Sequence, residues 1–216
     1  GMTRDIADTA AQAESDSAEQ VFVSVAAGVT TAFYENKLPA GAPVVRVMPN
    51  APMLVGGAVS ALAPGRFATA EHLKEVSALF DAVGGVLTVD ESQLDAVTAV
   101  SGSGPAYFFL MVEALVDAAV AAGLPRSVAT DLVTQTMAGS AAMLLEQLDR
   151  TESNGSAQMG SMIDTSAAQL RATVTSPGGT TAAGLRELER GGLRSAVASA
   201  VEAAKTRSEQ LGITSE

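Results

Sequence analysis

SGSGPAYFFLMVEALVDAAVAAG, residues 101–123, divides the chain into two parts of different character. Its charged residues are Glu113 and Asp117, which lie four positions apart and therefore on one face of a helix. An apolar stretch with a single polar stripe predicts a buried helix, and two acidic residues in its middle argue against a membrane span. Strand signals end before this stretch, and helical signals follow it.

The residues before position 95 alternate between short β-branched segments and helical ones. Ile6–Ala18 and Thr69–Val83 are predicted as helices, and the second places His72 on a solvated surface. The predicted strands are Val21–Val25, Val44–Met48, Ala58–Ala63 and Gly85–Val89. Such alternation indicates a parallel or mixed α/β sheet, here a partial Rossmann-like domain over residues 1–94.

The residues from 95 onward form an all-α part, predicted as one domain over residues 95–216. The predicted helices are Asp95–Val100, Ala106–Ala122, Ser127–Leu148, Ala182–Arg190 and Leu193–Leu211, with a loop at Arg150–Gly160 and a break at Gly191–Gly192. The fold class is therefore α/β followed by all-α. Because the helix after Pro105 is apolar on nearly every face, we expect it to bury itself against a second subunit, which predicts a homodimer.

Composition excludes several classes of protein. The 216 residues carry a formal net charge of −11, which argues against a nucleic-acid partner, since such proteins need a basic surface. The chain has no cysteine and one histidine, so we predict neither disulfides nor a cysteine- or histidine-rich metal site. Together with the absence of a secretory leader, this composition predicts a protein of the reducing cytoplasm.

The run Ser176–Thr181, with the sequence SPGGTT, lies directly before a predicted helix. Its glycines allow a ligand to approach the backbone closely, and unpaired N–H groups at a helix start favour a small carboxylate or phosphate. The alternative is an ordinary helix cap with a threonine as the N-cap residue. From this run alone, both interpretations stay open.

Several motifs, in this order, closely resemble the pyrroline-5-carboxylate reductase family. They are Val47–Pro52, Asp95–Thr98 leading to Ser101–Tyr107, Gly123–Arg126, Thr175–Thr181 and Leu188–Gly192. The resemblance implies reduction of the imine 1-pyrroline-5-carboxylate to L-proline, the last step of proline biosynthesis, with hydride from NADPH or NADH. It also implies a Rossmann-like cofactor domain, an α-helical dimerisation domain and a ring of dimers.

The sequence departs from the family in its cofactor half. Family members begin with a strand and a glycine-rich dinucleotide turn, and no G-x-G-x-x-G stands at a strand–helix junction in these residues. The sequence therefore predicts a chain that begins inside the cofactor domain, binds NADPH and NADH much more weakly than a complete family member and shows little or no reductase turnover. Two alternatives stay open, a non-catalytic dimerising protein and a reductase of another small imino or 2-oxo acid.

The resemblance assigns roles to individual residues. The N–H groups of Gly178, Gly179 and Thr180 are expected to hold the substrate carboxylate, and the Thr181 hydroxyl to donate to the ring nitrogen or to an oxygen as the catalytic group. The other expected substrate residues are Ser103 and Asp164, of which Asp164 has the alternative of a loop acid or helix cap. The expected cofactor residues are Ala26, Ala27, Gly28, Asn50 and Glu91, and Asn50 has the alternative of a turn residue.

Overall fold

The structure is a computed structural model that describes residues 20–153 and 166–213. It consists of two compact units. Among the described residues, the first combines residues 20–107 with residues 197–213, and the second is formed by residues 108–153 and 166–196. The predicted helix at Ile6–Ala18 lies outside the described residues.

The first unit is built on a four-stranded sheet. Its strands are β1 (Phe22–Ser24), β2 (Val44–Met48), β3 (Ala58–Pro64) and β4 (Gly84–Thr88), in the order β1-β2-β3-β4. β2 lies parallel to β1 and antiparallel to β3, and β3 lies parallel to β4. The prediction of a parallel or mixed sheet is confirmed in its mixed form, and all four strands form where the sequence predicts them.

All five residues of β2 are buried. Because side chains alternate between the two faces of a strand, both faces of β2 are therefore covered. Val45 and Val47 pack with Leu62 against Val76 of helix α2 (Ala70–Asp81). On the other face, Val44 contacts the region of helix α1 (Thr31–Glu35), and Met48 contacts Leu94 of helix α3 (Leu94–Val97). The charged side chain of Arg46 lies between these last two clusters and is itself buried.

His72 takes part in two hydrogen bonds at the start of α2, whereas the sequence predicted a solvated surface side chain. Its Nδ1 accepts a hydrogen bond from the Thr69 N–H at 3.1 Å, and the His72 N–H reaches the Thr69 hydroxyl oxygen at 3.4 Å. This reciprocal pair is a capping box in which histidine takes the place usually held by Glu or Gln. His72 is half-buried.

The helical part comprises five helices in the described residues. They are α4 (Gly104–Ala121), α5 (Arg126–Ser153), α6 (Ser166–Thr173), α7 (Thr180–Arg190) and α8 (Leu193–Ile213). The predicted loop Arg150–Gly160 is wrong in its first four residues, because α5 continues to Ser153, and its remainder lies outside the described residues. α6 was not predicted. The break at Gly191–Gly192 is confirmed, with Gly192 at φ 75° between α7 and α8.

Helix α4 leaves most of its apolar surface uncovered in a single chain. Phe108, Phe109 and Leu110 are each about two-thirds exposed, whereas Val116 is buried. The prediction of a buried helix is therefore wrong for one chain alone, because these side chains stay exposed among the residues that the structure describes. By length and composition alone, the segment Glu91–Ala121 could also cross a membrane, a test that the core helix of a soluble protein passes as well.

Candidate active site

The SPGGTT run forms a tight turn that starts α7. Gly178 adopts φ 69°, a conformation that favours glycine, and a Cβ added there would meet nothing within 4 Å. The Gly179 N–H donates to the Ser176 carbonyl at 3.0 Å. Gly179 is the N-cap residue, with no side-chain cap hydrogen bond, and α7 begins at Thr180. The predicted start at Ala182 and the alternative of a threonine N-cap are therefore wrong, because the turn closes through backbone alone.

The first turn of α7 begins with N–H groups that have no acceptor within the helix. The first hydrogen bond into the helix from its N-cap runs from the Ala183 N–H to the Gly179 carbonyl at 3.1 Å. By helix geometry, the N–H groups of Thr180, Thr181 and Ala182 precede that ladder and have no partner within the helix. Thr180 and Thr181 are exposed. An anion at this turn would thus meet these donors and the helix dipole, while the Gly179 N–H is already engaged.

Ser103 lies at the end of a π-helical turn. Residues Thr98–Gly102 form this turn, where a regular helix was predicted up to Val100, and the Ser103 N–H donates to the Thr98 carbonyl at 2.9 Å. The extra residue per turn distinguishes π-helices, which occur often at functional sites. Ser103 is half-buried at the entrance to α4. The turn therefore places the serine at the junction between sheet and long helix.

Ala26, Ala27 and Gly28 follow the carboxyl end of β1. Ala27 is exposed and Gly28 is buried at φ 75°. A Cβ on Gly28 would lie 2.7 Å from the backbone nitrogen of Gly212, so this glycine allows α8 to approach the turn closely. Gly28 thus has a packing role, and the two alanines form the accessible edge of the turn.

The side-chain amide of Asn50 is engaged at both ends. Its Oδ1 accepts from the Val59 N–H at 3.0 Å, and its Nδ2 donates to the Ser101 carbonyl at 3.3 Å. Asn50 therefore links β3 to the π-helical turn beside Ser103. It does not cap the 3₁₀ turn Ala51–Val55 that it precedes.

The carboxylate of Glu91 is likewise engaged by other residues of the chain. Its two oxygens accept from the Thr31 N–H and the Thr31 hydroxyl, both at 2.7 Å. Nη1 of the buried Arg46 lies 3.5 Å from the same carboxylate. The geometry makes Glu91 a link between the start of α1 and the sheet.

The described residues fit a nicotinamide cofactor only in part. The exposed turn at Ala26 and Ala27 lies at the carboxyl end of a strand, where open α/β sheets bind such ligands. The side chains of Asn50 and Glu91 instead form hydrogen bonds with other residues of the chain. The cofactor assignment of the alanines is compatible with the geometry, whereas those of Asn50 and Glu91 are compatible with positioning roles.

The structure groups some of the predicted residues. Asn50 is joined to the turn that carries Ser103, and both belong to the first unit with Ala26, Ala27 and Gly28. The turn Gly178–Thr181 belongs to the second unit, and Asp164 lies outside the described residues. Arg46 was missed by the sequence interpretation. Its signal was a single charge inside an otherwise apolar strand.

Comparison with known proteins identifies the relatives of this chain. A family profile described as "Pyrroline-5-carboxylate reductase dimerisation" matches residues 91–211. The pyrroline-5-carboxylate reductase of Mycobacterium tuberculosis (strain H37Rv) is 70% identical over 213 residues, which cover 98% of this chain and 72% of that protein. The Mycobacterium leprae reductase is 69% identical over 208 residues, covering 96% and 71%.

Solved structures agree with these sequence relatives. The pyrroline-5-carboxylate reductase from Coxiella burnetii superposes with a TM-score of 0.79 at 35% identity, covering 96% of this chain and 69% of that one. The Plasmodium falciparum enzyme, solved with NADP bound, gives 0.74 at 32% identity, covering 89% and 68%.

A small mixed sheet followed by long helices, with these relatives, defines an NAD(P)H-dependent oxidoreductase. The chain belongs to the pyrroline-5-carboxylate reductase family. The family carries out the final step of proline biosynthesis with NAD(P)H. The matched dimerisation region contains the exposed face of α4, which supports a homo-oligomer as the state in which that face is covered.

Proposed function

We propose that this chain reduces 1-pyrroline-5-carboxylate to L-proline with hydride from NADPH or NADH. The observation that carries the proposal is the turn Ser176–Thr181, whose backbone donors face out of the start of α7. The substrate is small and has one carboxylate, which suits such a helix start. The membership in the reductase family supports the reaction class.

The substrate-binding residues act mainly by orientation. The N–H groups of Thr180 and Thr181 hold the carboxylate, and Gly178 and Gly179 give the turn the shape that exposes them. The Thr181 hydroxyl donates to the ring nitrogen, which favours addition at the neighbouring carbon. Ser103 and Asp164 complete the proposed substrate set. Ser103 belongs to the family motif Ser101–Tyr107, and Asp164 is assigned by the resemblance when Gln169–Arg171 is aligned with the family.

The cofactor side is proposed to use the turn after β1. The reduced nicotinamide supplies the hydride when it is bound. Ala26 and Ala27 form the edge against which it lies, and Gly28 keeps that edge in place through its close approach to Gly212. Asn50 and Glu91 act as positioning residues, since their polar atoms bind Ser101, Val59, Thr31 and Arg46.

We propose that the cofactor and the substrate are bound by different domains of the chain. Residues 1–94 serve the cofactor, and residues 95–216 serve dimerisation and the substrate, in keeping with the profile match at 91–211. We further propose that dimers assemble into a ring and that the protein acts in the cytoplasm, where its thiol-free composition is suited to the reducing conditions. The mass of the assembly in solution tests the ring.

The test compares Thr181→Val and Gly178→Val with the parent protein. We measure nicotinamide oxidation with 1-pyrroline-5-carboxylate and, without cofactor, L-proline binding by calorimetry. Loss of the hydroxyl should weaken proline binding by about 0.5–1.5 kcal/mol, and by up to about 3 kcal/mol if it bonds the charged carboxylate. Gly178→Val should weaken it further, because a β-branched residue disfavours φ 69°.

The matched control is Thr88→Val, at another exposed threonine, which ends β4. It should leave both measurements unchanged. Proline affinity that is the same in the parent, Thr181→Val and Gly178→Val, with the oligomer intact, would place the substrate elsewhere. A scan of other cyclic imino acids and 2-oxo acids as substrates would distinguish a related reductase.

A further inference from the structure

The second unit exposes both of its aromatic residues. Residues 108–196 contain two aromatic residues, Phe108 and Phe109, and each of them is 65% exposed. Phenylalanine is among the residue types most often found in a protein core, where one side chain buries about 150–250 Å². Their exposure in a single chain therefore indicates an interaction surface on α4.

Phe108 belongs to an apolar stripe along α4. Met111 and Leu115 follow it at spacings of three and seven residues, which place all three on one face of the helix. Met111 is 38% exposed and Leu115 is 49% exposed. Because a helix turns by about 100° per residue, Glu113 and Asp117 lie towards the opposite face. These three apolar residues, the Phe108 stripe, can thus be covered without burying either carboxylate.

The same unit contains an apolar groove between α5 and α6, with a volume of about 320 Å³. Met143 is 48% exposed and Val174 is 57% exposed, so the groove is open to solvent. None of its lining residues is aromatic, and a concave apolar surface of this kind accepts a bulky apolar side chain. The residues that line this α5–α6 groove are Ser140, Met143, Leu144, Ala167, Leu170, Arg171 and Val174.

The stripe and the groove are the convex and the concave half of one contact. Both lie within residues 91–211, the region that the dimerisation profile matches. In a twofold-symmetric dimer, a contact from one surface to a different surface is made twice, once in each direction. A second copy of the chain therefore supplies a groove for each stripe and a stripe for each groove.

We propose that the Phe108 stripe of one subunit packs into the α5–α6 groove of a second copy of this chain. The Phe108 ring contacts Met143, Leu170 and Val174 of the other subunit. This pairing does not depend on the proposed reaction, and it specifies which surfaces meet in the dimer. Aromatic residues that fill an apolar pocket commonly dominate the binding free energy of an interface, so the dimer should depend strongly on Phe108.

Disulfide formation tests the pairing directly, because the chain has no cysteine. Phe108→Cys is combined in turn with Met143→Cys, Leu170→Cys and Val174→Cys, and the oxidised full chain is analysed on a non-reducing gel. A disulfide needs Cβ atoms within about 4.5 Å of each other. We therefore expect a covalent dimer, reversed by reductant, in at least one double variant and not in the single variants.

The matched control for cross-linking combines Phe108→Cys with Leu79→Cys. Leu79 is 67% exposed on α2 and lies outside the matched region. This pair should give no covalent dimer, which excludes disulfides formed by random collision.

A double-mutant cycle tests the same contact without cysteine. Sedimentation measures the dimer dissociation constant of Phe108→Ala, Met143→Ala and the double variant. Each single change should weaken the dimer at least tenfold, and the double change by less than the product, because both remove one contact. Leu132→Ala is the control, at a residue of α5 that is 54% exposed and does not line the groove. Its effect should multiply with that of Phe108→Ala.

Three results would each overturn the proposal. The first is a dimeric parent protein in which none of the three double cysteine variants forms a covalent dimer. The second is a covalent dimer as abundant in Phe108→Cys alone, which would pair α4 with α4. The third is a pair of effects for Phe108→Ala and Met143→Ala that multiply, as expected for residues that do not touch.

Discussion

Two separate structural requirements favour glycine at position 28. Its φ of 75° favours glycine, and its missing side chain leaves room for the backbone of Gly212. The requirement for positive φ can be suggested by the sequence, because a turn is expected after the strand. The requirement for space depends on Gly212, which is distant along the chain, so no local pattern indicates it.

We expect Gly28→Ala to destabilise the protein more than Gly41→Ala does. Gly41 also has positive φ, at 88°, but an added Cβ there would meet nothing within 4 Å. The conformational penalty, about 1–2 kcal/mol, is therefore common to both variants. The close contact with Gly212 is added only at Gly28, where backbone must move. Urea unfolding measures the difference, and equal losses in the two variants would show that the approach of α8 is not restrictive.

At the scale of elements, the sequence predicted what depends on local periodicity. Val44–Met48 is apolar except for Arg46 and forms the predicted strand between its predicted neighbours. The π-helical turn at Thr98–Gly102 was not predicted, because its extra residue leaves no hydrophobic period to detect. The start of α7 was placed two residues late, since the backbone of Gly179 caps the helix and no side chain marks it.

Substitutions at Asn50 test whether its hydrogen bonds, which link β3 to the π-helical turn, stabilise the protein. Asn50→Asp keeps the acceptor for the Val59 N–H but loses the donor to the Ser101 carbonyl, and Asn50→Ala loses both. We expect stability to fall by about 1 kcal/mol per lost hydrogen bond, and more if a buried partner stays unpaired. Asn36→Ala, at an exposed asparagine, should change stability by less than about 0.5 kcal/mol. Thermal unfolding reports both, and an Asn50→Ala variant as stable as the parent would remove the link.

At the scale of the whole molecule, oligomerisation should depend on the apolar face of α4. Phe109→Asp places a charge on a surface that we expect a second subunit to cover, and burying an unpaired charge there is costly. Light scattering at micromolar concentration should show a smaller assembly or loss of the folded protein. Leu79→Asp is the control, because Leu79 is similarly exposed, at 67%, but lies on α2 outside the matched region. A monodisperse monomer in the parent protein would contradict the expectation.

The contact between Gly28 and Gly212 also has a consequence for the order of events during synthesis. The first unit includes residues 197–213 of α8, which the ribosome makes after residues 108–196. The Ser208 hydroxyl reaches Asp95 across 113 positions of sequence, and such distant pairs form late. The sheet therefore emerges early, and the turn after β1 stays uncovered by α8 until residues 197–213 have been synthesised. A nascent chain halted before α8 should be cut by protease near that turn, whereas the released chain should resist.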